Sequence, residues 1–256
     1  MDTSYFKSHK NIIRSMKTRI LMFSSFISIC IIATSCVLNA QQRITSKTFD
    51  VQPFEAVESN SVANIHFFQG PTTSLRAEGN KDLIDRLNVN VEKGKLIIEM
   101  QKSAFNNNNL KNKKLDIYIS SPTLNLIEME GVGNFLFEKA FNSPKLEIVS
   151  DGVGNLKADN LNCGQIFIRS HGVGNIELAG KANNMTISSD GVGNIKAEKL
   201  VAQHASVNSS GVGNVTFNCS ESMDVELSGV GNAIYYGNPK VKNMNKAGVG
   251  KIKPGK

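Results

Sequence analysis

The stretch SDGVGNIKAEKL, from Ser189 to Leu200, contains a four-residue motif, Gly-Val-Gly-Asn, that recurs through the second half of the chain. Five further copies begin at Gly131, Gly152, Gly172, Gly211 and Gly229. A seventh copy begins at Gly248 and ends in Lys251 instead of asparagine. Successive copies start 21, 20, 19, 20, 18 and 19 residues apart. A period near twenty residues indicates a solenoid, in which each repeat forms one coil.

The residues on both sides of each motif alternate between apolar and polar. Examples are LEIVS at 146–150, ahead of one copy, and LKA at 156–158, behind it. Alternation with period two is typical of β-strands that have one face inward. Twenty residues at ~3.3 Å each give a perimeter of about 66 Å, which closes a three-sided coil and leaves no room for a helix in each turn. We therefore predict an all-β fold, a single-stranded parallel β-helix of ~20-residue coils.

The motif itself is predicted to form the corner of each coil. Glycine reaches positive φ at little cost, so it allows a turn that other residues resist. The valine between the glycines is expected to point inward and to stack on the valine of the next coil. This predicted internal column contains Val132, Val153, Val173, Val192, Val212, Val230 and Val249.

The asparagine of the motif suits a ladder of side-chain hydrogen bonds. Asparagine tolerates left-handed backbone geometry, and its amide group both donates and accepts. Stacked asparagines can hydrogen-bond from one strand to the next. The predicted ladder contains Asn134, Asn155, Asn175, Asn194, Asn214 and Asn232. We interpret the motif as a structural corner that requires no cofactor.

Residues 1–40 have the pattern of an export signal. Basic residues in the segment 16–19 precede an apolar run of 14 residues, which is short for a membrane-spanning helix. Cleavage after Ala40 would make residues 1–40 a signal peptide. The sequence ATSC instead resembles a lipobox, which would end a lipoprotein signal at residue 35 and lipidate Cys36. Both alternatives stay open, and neither predicts a transmembrane helix in the mature chain.

The net charge and the cysteines exclude two simple interpretations. The chain has a net charge of +7, but residues 41–256 contain 24 basic and 21 acidic residues. So small an excess does not indicate nucleic-acid binding. Cys163 and Cys219 lie three predicted coils apart, about 14 Å, whereas disulfide-bonded Cα atoms lie within about 7 Å. We expect two free, buried thiols.

The mature chain divides into two parts by sequence pattern. Residues 41–120 lack the motif but contain strand-like alternation, with one helical turn predicted at NKDLIDRL. We predict that this part caps the β-helix and that residues 121–256 form its seven-coil repeat. In the last coil, Lys242, Met244 and Lys246 stand at inward positions, and lysines of this kind protect an open strand edge from aggregation.

The repeated GVGN closely resembles the glycine-rich repeats of the head GIN domain family, labelled putative auto-transporter adhesins. Four further stretches resemble that family: KTFDVQPFEAVESNSVANIHFFQG, KGKLIIEM, SSPTLNLIEMEGVGN and IYYGNP. The resemblance covers about residues 45–252. It implies a right-handed β-helix that is exported to the periplasm, outer membrane or cell surface of a Gram-negative envelope. It brings no catalytic residues with it.

One residue directly precedes each motif copy. In the first four copies it is Glu130, Asp151, His171 and Asp190. Stacked at ~4.8 Å, they would set a histidine among carboxylates, an arrangement that can bind a divalent metal or transfer a proton. A solvated row of opposite charges is the alternative. Calcium at the corners is disfavoured, because calcium-binding β-rolls use nine-residue repeats with an aspartate in each.

These patterns predict an exported, non-catalytic envelope protein, an adhesin that presents a rod surface to a protein or glycan partner. The first alternative is a periplasmic or lipid-anchored structural module that senses or supports the envelope. A weaker alternative is a carbohydrate-active β-helix enzyme. Such an enzyme needs catalytic groups in a cleft built by long loops, and these repeats are short and uniform. The sequence leaves the partner and the oligomeric state open.

Overall fold

The computed structural model of the protein describes residues 45–101 and 114–256. The predicted export signal and Cys36 lie outside these residues. The first nine strands are Thr45–Phe49 (β1), Ala56–Asn60 (β2), Asn64–Gln69 (β3), Ser74–Gly79 (β4), Leu87–Glu92 (β5), Lys95–Met100 (β6), Leu115–Ser121 (β7), Leu126–Met129 (β8) and Phe135–Phe137 (β9). The next eight are Phe141–Ser150 (β10), Leu156–Ser170 (β11), Ile176–Ser189 (β12), Ile195–Ser209 (β13), Val215–Leu227 (β14), Ala233–Tyr236 (β15), Lys240–Lys246 (β16) and Ile252–Pro254 (β17).

Strands β10 to β14 stack in parallel, each on the next, and this confirms the predicted β-helix. The register follows the buried positions. Ile166 of β11 lies opposite Met185 of β12, which lies opposite Ala205 of β13, and all three side chains are buried. Six complete turns lie between the seven motif copies, whose valines form parallel bridges from one coil to the next. The apolar core therefore continues from coil to coil.

The glycines of the motif are required by the close approach of successive coils. Gly193 has a φ of +151°, a conformation that residues with a Cβ rarely adopt. A Cβ added at Gly193 would lie 1.7 Å from the carbonyl oxygen of Gly174 in the preceding coil. A Cβ at Gly191 would lie 2.3 Å from the carbonyl oxygen of Gly172. Because backbone atoms occupy both places, no side chain fits at either glycine.

The valines of the motif lie in register but on the outer surface, so the prediction of an internal column is wrong. Each of these side chains is between 50% and 71% exposed. The period-two alternation continues through the corner: Ser150 and Gly152 are buried, which turns Val153 outward. The exposed column contains Val132, Val153, Val173, Val192, Val212, Val230 and Val249.

The N-terminal strands join the same stack with mixed strand directions. Strands β2 and β3 pair in parallel with β8 and β9. Strands β1, β4 and β7 pair antiparallel, and β5 and β6 form an antiparallel pair. The helix α1, Lys81–Ile84, forms the helical turn that the sequence predicts, and the Asn80 side chain caps it by accepting from the Asp82 backbone N–H at 3.0 Å. Among the described residues, no helix has the length and apolar character needed to cross a bilayer.

The two cysteines of the repeat region are buried and free, as predicted. Cys163 lies opposite Ser143 and Ala182 of the neighbouring coils, and Cys219 lies opposite Ala202. Burial raises the pKa of Cys163 to about 11 and also raises the pKa of Cys219. The thiolate is the reactive form of cysteine, so burial disfavours the reactive form of both side chains at neutral pH.

Candidate binding groove

A ladder of asparagine side chains runs from coil to coil along the solenoid. Nδ2 of Asn155 donates to Oδ1 of Asn134 at 3.0 Å, and the backbone N–H of Asn155 donates to the same oxygen at 3.1 Å. Equivalent bonds join each later asparagine to the one before it, with Nδ2–Oδ1 distances of 2.9 to 3.3 Å. The members from the motif are Asn134, Asn155, Asn175, Asn194, Asn214 and Asn232. The backbone N–H of Lys251 donates to Asn232 at 3.1 Å and ends the ladder.

The ladder extends beyond the motif copies into the N-terminal strands. Nδ2 of Asn134 donates to Oδ1 of Asn64 at 2.9 Å, and Nδ2 of Asn64 donates to Oδ1 of Asp116 at 3.1 Å. Neither Asn64 nor Asp116 was predicted as a ladder residue from the sequence. The signal was present in SVAN, which begins at Ser61, keeps the valine and asparagine, and has small residues in place of the glycines. A Cβ on Gly131 would lie 2.1 Å from the Ser61 carbonyl oxygen, so this degenerate motif occupies the adjacent level.

A groove of about 420 Å³ lies beside this first part of the ladder. The ladder contributes Asn64, Asn134, Asn155 and Asn175. The other seven lining residues are His66, Lys114, Asp116, Leu136, Leu156, Lys157 and Glu177. Because its residues come from successive levels of the stack, the groove crosses several coils.

Each ladder amide keeps one N–H that the ladder does not use. An asparagine Nδ2 carries two hydrogens, and its Oδ1 has two lone pairs. Oδ1 of Asn155 accepts from both the backbone N and Nδ2 of Asn175, at 3.0 and 3.1 Å. Nδ2 of Asn155 gives one hydrogen to Asn134, and its other hydrogen remains on an exposed side chain. The groove therefore has a row of donors, one for each coil, at a spacing of ~4.8 Å.

His66 lies between two carboxylates in the groove. Its Nδ1 is 2.5 Å from Oε1 of Glu138, and its Nε2 is 3.5 Å from Oδ1 of Asp116. The imidazole ring stacks on Tyr118, with ring centroids 4.7 Å apart. Burial of Asp116 opposes its ionisation, but hydrogen bonds, led by the one from Lys114, outweigh burial and lower the pKa of Asp116. Asp116 is therefore a fixed hydrogen-bond acceptor at neutral pH.

The charged side chains along the groove form ion pairs. Nζ of Lys157 is 2.9 Å from Oδ2 of Asp159, and the hydrogen bond between them raises the pKa of Lys157. Nζ of Lys196 is 2.6 Å from Oε1 of Glu177, and this hydrogen bond lowers the pKa of Glu177. The groove consequently carries charges of both signs that are already matched with each other.

The structure brings together three of the four residues of the predicted surface column. Nδ1 of His171 is 2.8 Å from Oδ1 of Asp151, and its Nε2 is 3.9 Å from Oδ1 of Asp190. All three side chains are exposed. Within residues 45–101 and 114–256, no group of three or more His, Cys, Asp or Glu side chains is placed to hold a metal ion. The arrangement is an exposed row in which His171 lies between two aspartates.

Glu130, the fourth residue of the column, borders a different cluster. Nζ of Lys95 is 2.9 Å from Oε2 of Glu58 and 2.5 Å from Oε2 of Glu128. Hydrogen bonds to Glu128 and Glu58 raise the pKa of Lys95. Burial raises the pKa of Glu130, and the charges of Glu58 and Glu128 raise it further. The charge of Asp151 also raises the pKa of Glu130, so Glu130 is coupled electrostatically both to this cluster and to the column.

The coil period, the glycine corners and the asparagine ladder define the chain as a parallel β-solenoid of glycine-motif repeats. The chain belongs to the family described as putative auto-transporter adhesin, head GIN domain, whose model matches residues 53–239. This match confirms the resemblance seen in the sequence.

Solved structures show the same fold. A putative adhesin from Bacteroides fragilis is 34% identical with a TM-score of 0.79, over 84% of this chain and 98% of that chain. A putative lipid binding protein from Parabacteroides distasonis is 20% identical with a TM-score of 0.64, over the same shares of the two chains. A putative adhesin from Parabacteroides merdae is 16% identical with a TM-score of 0.58, again over these shares. At these two lower identities the likeness concerns the fold alone. Among functionally curated proteins, no relative matches the chain.

The Bacteroides fragilis structure also defines a unit for experiments. It corresponds over 98% of its length to 84% of this chain. A segment of about this length is therefore a suitable unit for experiments on this chain. Residues 41–256 have a matching length and omit the predicted export signal.

Proposed function

We propose that this chain is an exported, non-catalytic adhesin of a Gram-negative cell envelope and that it binds a glycan in the groove beside the asparagine ladder. Membership of the head GIN domain family and the likeness to the Bacteroides fragilis adhesin support an adhesive role. The basic and apolar pattern of residues 1–40 supports export. We retain residues 41–120 as the capping part and residues 121–256 as the repeat part of this proposal.

The row of unused amide donors is the observation that carries the glycan assignment. Hydroxyl and ring oxygens of a saccharide accept hydrogen bonds, and a polysaccharide repeats these acceptors along its length. Ligand sites of roughly 300–1,000 Å³ are usual for small molecules, and this groove measures about 420 Å³. Leu136 adds apolar surface for the C–H face of a sugar. The matched charges favour a neutral polar ligand over a strongly charged one.

A protein partner fits this groove less well. Protein interfaces depend on a few large anchors, most often Trp, Tyr and Arg. The chain has no Trp and four Tyr. Tyr118 is partly covered, because it stacks on His66 and lies under the Arg76 guanidinium, 4.7 Å from the ring centroid. The polar character of the groove therefore supports a glycan.

The electrostatics of the groove support a binding role rather than hydrolysis. Glycoside hydrolysis by a pair of carboxyl groups needs one acid that stays protonated near neutral pH. The Asp116 pKa is lowered by its hydrogen bonds, which favours the carboxylate. Glu177 is likewise held ionised by Lys196. These carboxylates are suited to accept hydrogen bonds from sugar hydroxyls.

The proposal is tested by binding of residues 41–256 to immobilised mucin glycans, xylan, dextran and chondroitin sulfate, measured by biolayer interferometry. We expect retention on at least one neutral polysaccharide. The double variant Lys157→Ala, Glu177→Ala should bind at least about tenfold more weakly, because both side chains line the groove. A matched control removes one exposed lysine and one exposed glutamate elsewhere, Lys181→Ala with Glu221→Ala, and should bind normally.

Two results would contradict the glycan assignment. One is that no polysaccharide in the panel retains the protein. The other is equal retention of the groove variant and the wild-type segment. New reducing ends after incubation with a retained polysaccharide would contradict the non-catalytic role and would support the carbohydrate-active alternative.

The alternative function is a structural module inside the envelope, and the uniform exposed corners favour it. A module of this kind would remain in the periplasm or attach to a membrane through Cys36. Labelling of intact cells with a membrane-impermeant reagent separates the two functions, since adhesion requires exposure. Mass spectrometry of the mature N-terminus distinguishes a diacylglyceryl Cys36 from a free Gln41. It therefore shows whether residues before it are a lipoprotein signal or a cleaved signal peptide.

A further inference from the structure

The last coil of the solenoid has a charge unlike that of the rest of the chain. Residues 240–256, named here the basic edge, contain six lysines and no acidic residue. Residues 41–239 contain 18 basic and 21 acidic residues. The positive charge of the mature chain is therefore concentrated in its last seventeen residues.

The basic edge is also an open surface in the described part of the chain. Strand β16 pairs with β14, and β17 pairs with β15, so each has one edge without a partner strand among the described residues. All seven residues of β16 are exposed. Met244 lies opposite the buried Val225, yet it is 42% exposed, and no strand among the described residues pairs with β16 on its other side. Val241 and Val249 are 44% and 71% exposed. Exposed apolar side chains are thus interspersed with lysines along the last coil.

We propose that the basic edge docks on an anionic lipid surface. Lysine side chains near a membrane place their methylene groups against apolar material and their ammonium groups among the lipid headgroups. Exposed valine and methionine side chains between the lysines can enter the boundary between headgroups and acyl chains. An anionic lipid surface binds cationic and apolar side chains that lie close together, and the last coil has both kinds. This inference uses a different part of the molecule from the groove and does not depend on glycan binding.

Edge protection alone does not account for this composition. An open strand edge is protected by charges of either sign, and one or two inward lysines serve that purpose. Six lysines without an acidic residue, next to exposed apolar side chains, exceed that need. A second copy of the chain is a poor occupant, because edge-to-edge pairing would set two groups of six lysines against each other.

Vesicle sedimentation with residues 41–256 tests the proposal. The vesicles contain phosphatidylcholine alone, or about three parts phosphatidylcholine to one part anionic phosphatidylglycerol. We expect binding to the anionic vesicles at about 50 mM NaCl and a large loss at about 500 mM, because salt screens the headgroup charge. Binding to the neutral vesicles should be weak.

Two charge-reversal variants with the same net change locate the contact. Lys240→Glu, Lys242→Glu, Lys246→Glu alters the basic edge and should bind about 100-fold more weakly. Lys139→Glu, Lys181→Glu, Lys199→Glu alters exposed lysines on other coils and should bind much as the wild-type segment does. If the first variant unfolds, judged by circular dichroism, Lys251→Glu with Lys253→Glu on the neighbouring strand replaces it and should weaken binding about tenfold.

Four outcomes would overturn the inference. The segment could fail to sediment with anionic vesicles at low salt. The basic-edge variant could bind as well as wild type, or the control variant could lose binding equally. The fourth outcome combines two results. Soluble alginate, an acidic polysaccharide without lipid, could displace the segment from vesicles, and the double variant Val241→Ser, Met244→Ser could bind vesicles as well as the wild-type segment does. That fourth outcome would assign the basic edge to a polyanion instead of a lipid surface.

Discussion

Replacing Gly193 by alanine should destabilise the solenoid severely, because the new Cβ would occupy the position of a backbone atom. The Cβ would lie 1.7 Å from the Gly174 carbonyl oxygen, whereas real Cβ contacts are essentially never shorter than 3.0 Å. The two coils would have to separate by about 1.3 Å to relieve this clash. The separation would break hydrogen bonds of 2.9 Å from Val192 N to Gly172 O and of 3.0 Å from Gly174 N to Val192 O.

The magnitude follows from these losses. Each broken backbone hydrogen bond costs about 1 kcal/mol, and a side chain at the φ of Gly193 adds about 1–3 kcal/mol of strain. The free energy of unfolding should therefore fall by about 3–5 kcal/mol, and the Tm by about 10 °C for a chain of this size.

Thermal unfolding of residues 41–256, followed by far-ultraviolet circular dichroism, measures the effect. Gly94→Ala is the matched control, because Gly94 has a φ of +77° but its added Cβ would meet nothing closer than Glu55 Cγ at 3.9 Å. We expect this control to lose only about 1 kcal/mol, the cost of positive φ alone. Equal Tm values for the Gly193 and Gly94 variants would refute the argument that coil contact dictates glycine at the corner.

Three further predictions concern the ladder, the thiols and one carboxyl group. Asn175→Ala removes three ladder hydrogen bonds and should cost about 2 kcal/mol by thermal unfolding, whereas alanine at the exposed Asn183 should leave the Tm unchanged. Cys163 and Cys219 should resist Ellman's reagent in the native segment at about pH 8 and react fully in denaturant, because burial raises the pKa of both thiols. A fast-reacting thiol in the native segment would contradict this prediction. Glu130→Gln should raise the Tm by about a degree at neutral pH and leave it unchanged below about pH 4. The pKa of Glu130 is raised in the folded state, so the stabilising contribution of Glu130 is complete below its unfolded pKa and is lost as pH rises through its folded pKa. A higher Tm for the variant only at low pH would contradict this direction of the pKa shift.

The sequence was sufficient to predict the fold because two periods coincide in it. The spacing of about twenty residues fixes the coil, and the alternation around each motif fixes which strand residues are buried. The prediction of inward valines is wrong because it does not follow the alternation through the glycine corner. Ser150 and Gly152 are both buried, and Val153 between Gly152 and Gly154 therefore turns outward.

The groove could not be predicted in the same way. Its key hydrogen bonds join residues far apart in the chain, 70 residues between Asn134 and Asn64 and 52 between Asn64 and Asp116. Local spacing carries no information about such pairs. The degenerate motif that begins at Ser61 was the available signal, because it keeps the valine and asparagine of the corner. The Glu177–Lys196 ion pair follows from the register of neighbouring coils, in which these residues lie opposite each other, whereas Lys157 and Asp159 lie two residues apart in one strand.

The position of the groove suggests how stability and specificity are divided in this solenoid. The glycine corners and the ladder repeat with little variation, because each coil must stack on an almost identical one. Asn64, His66 and Asp116 come instead from β3 and β7, strands outside the regular repeats. Asn64 and Asp116 extend the ladder where the irregular coils meet the regular ones, and His66 contacts Asp116. Substitutions there change the groove while the glycine contacts between later coils remain intact. We therefore expect the choice of ligand to depend on β3 and β7, and the thermal stability to depend mainly on the corners.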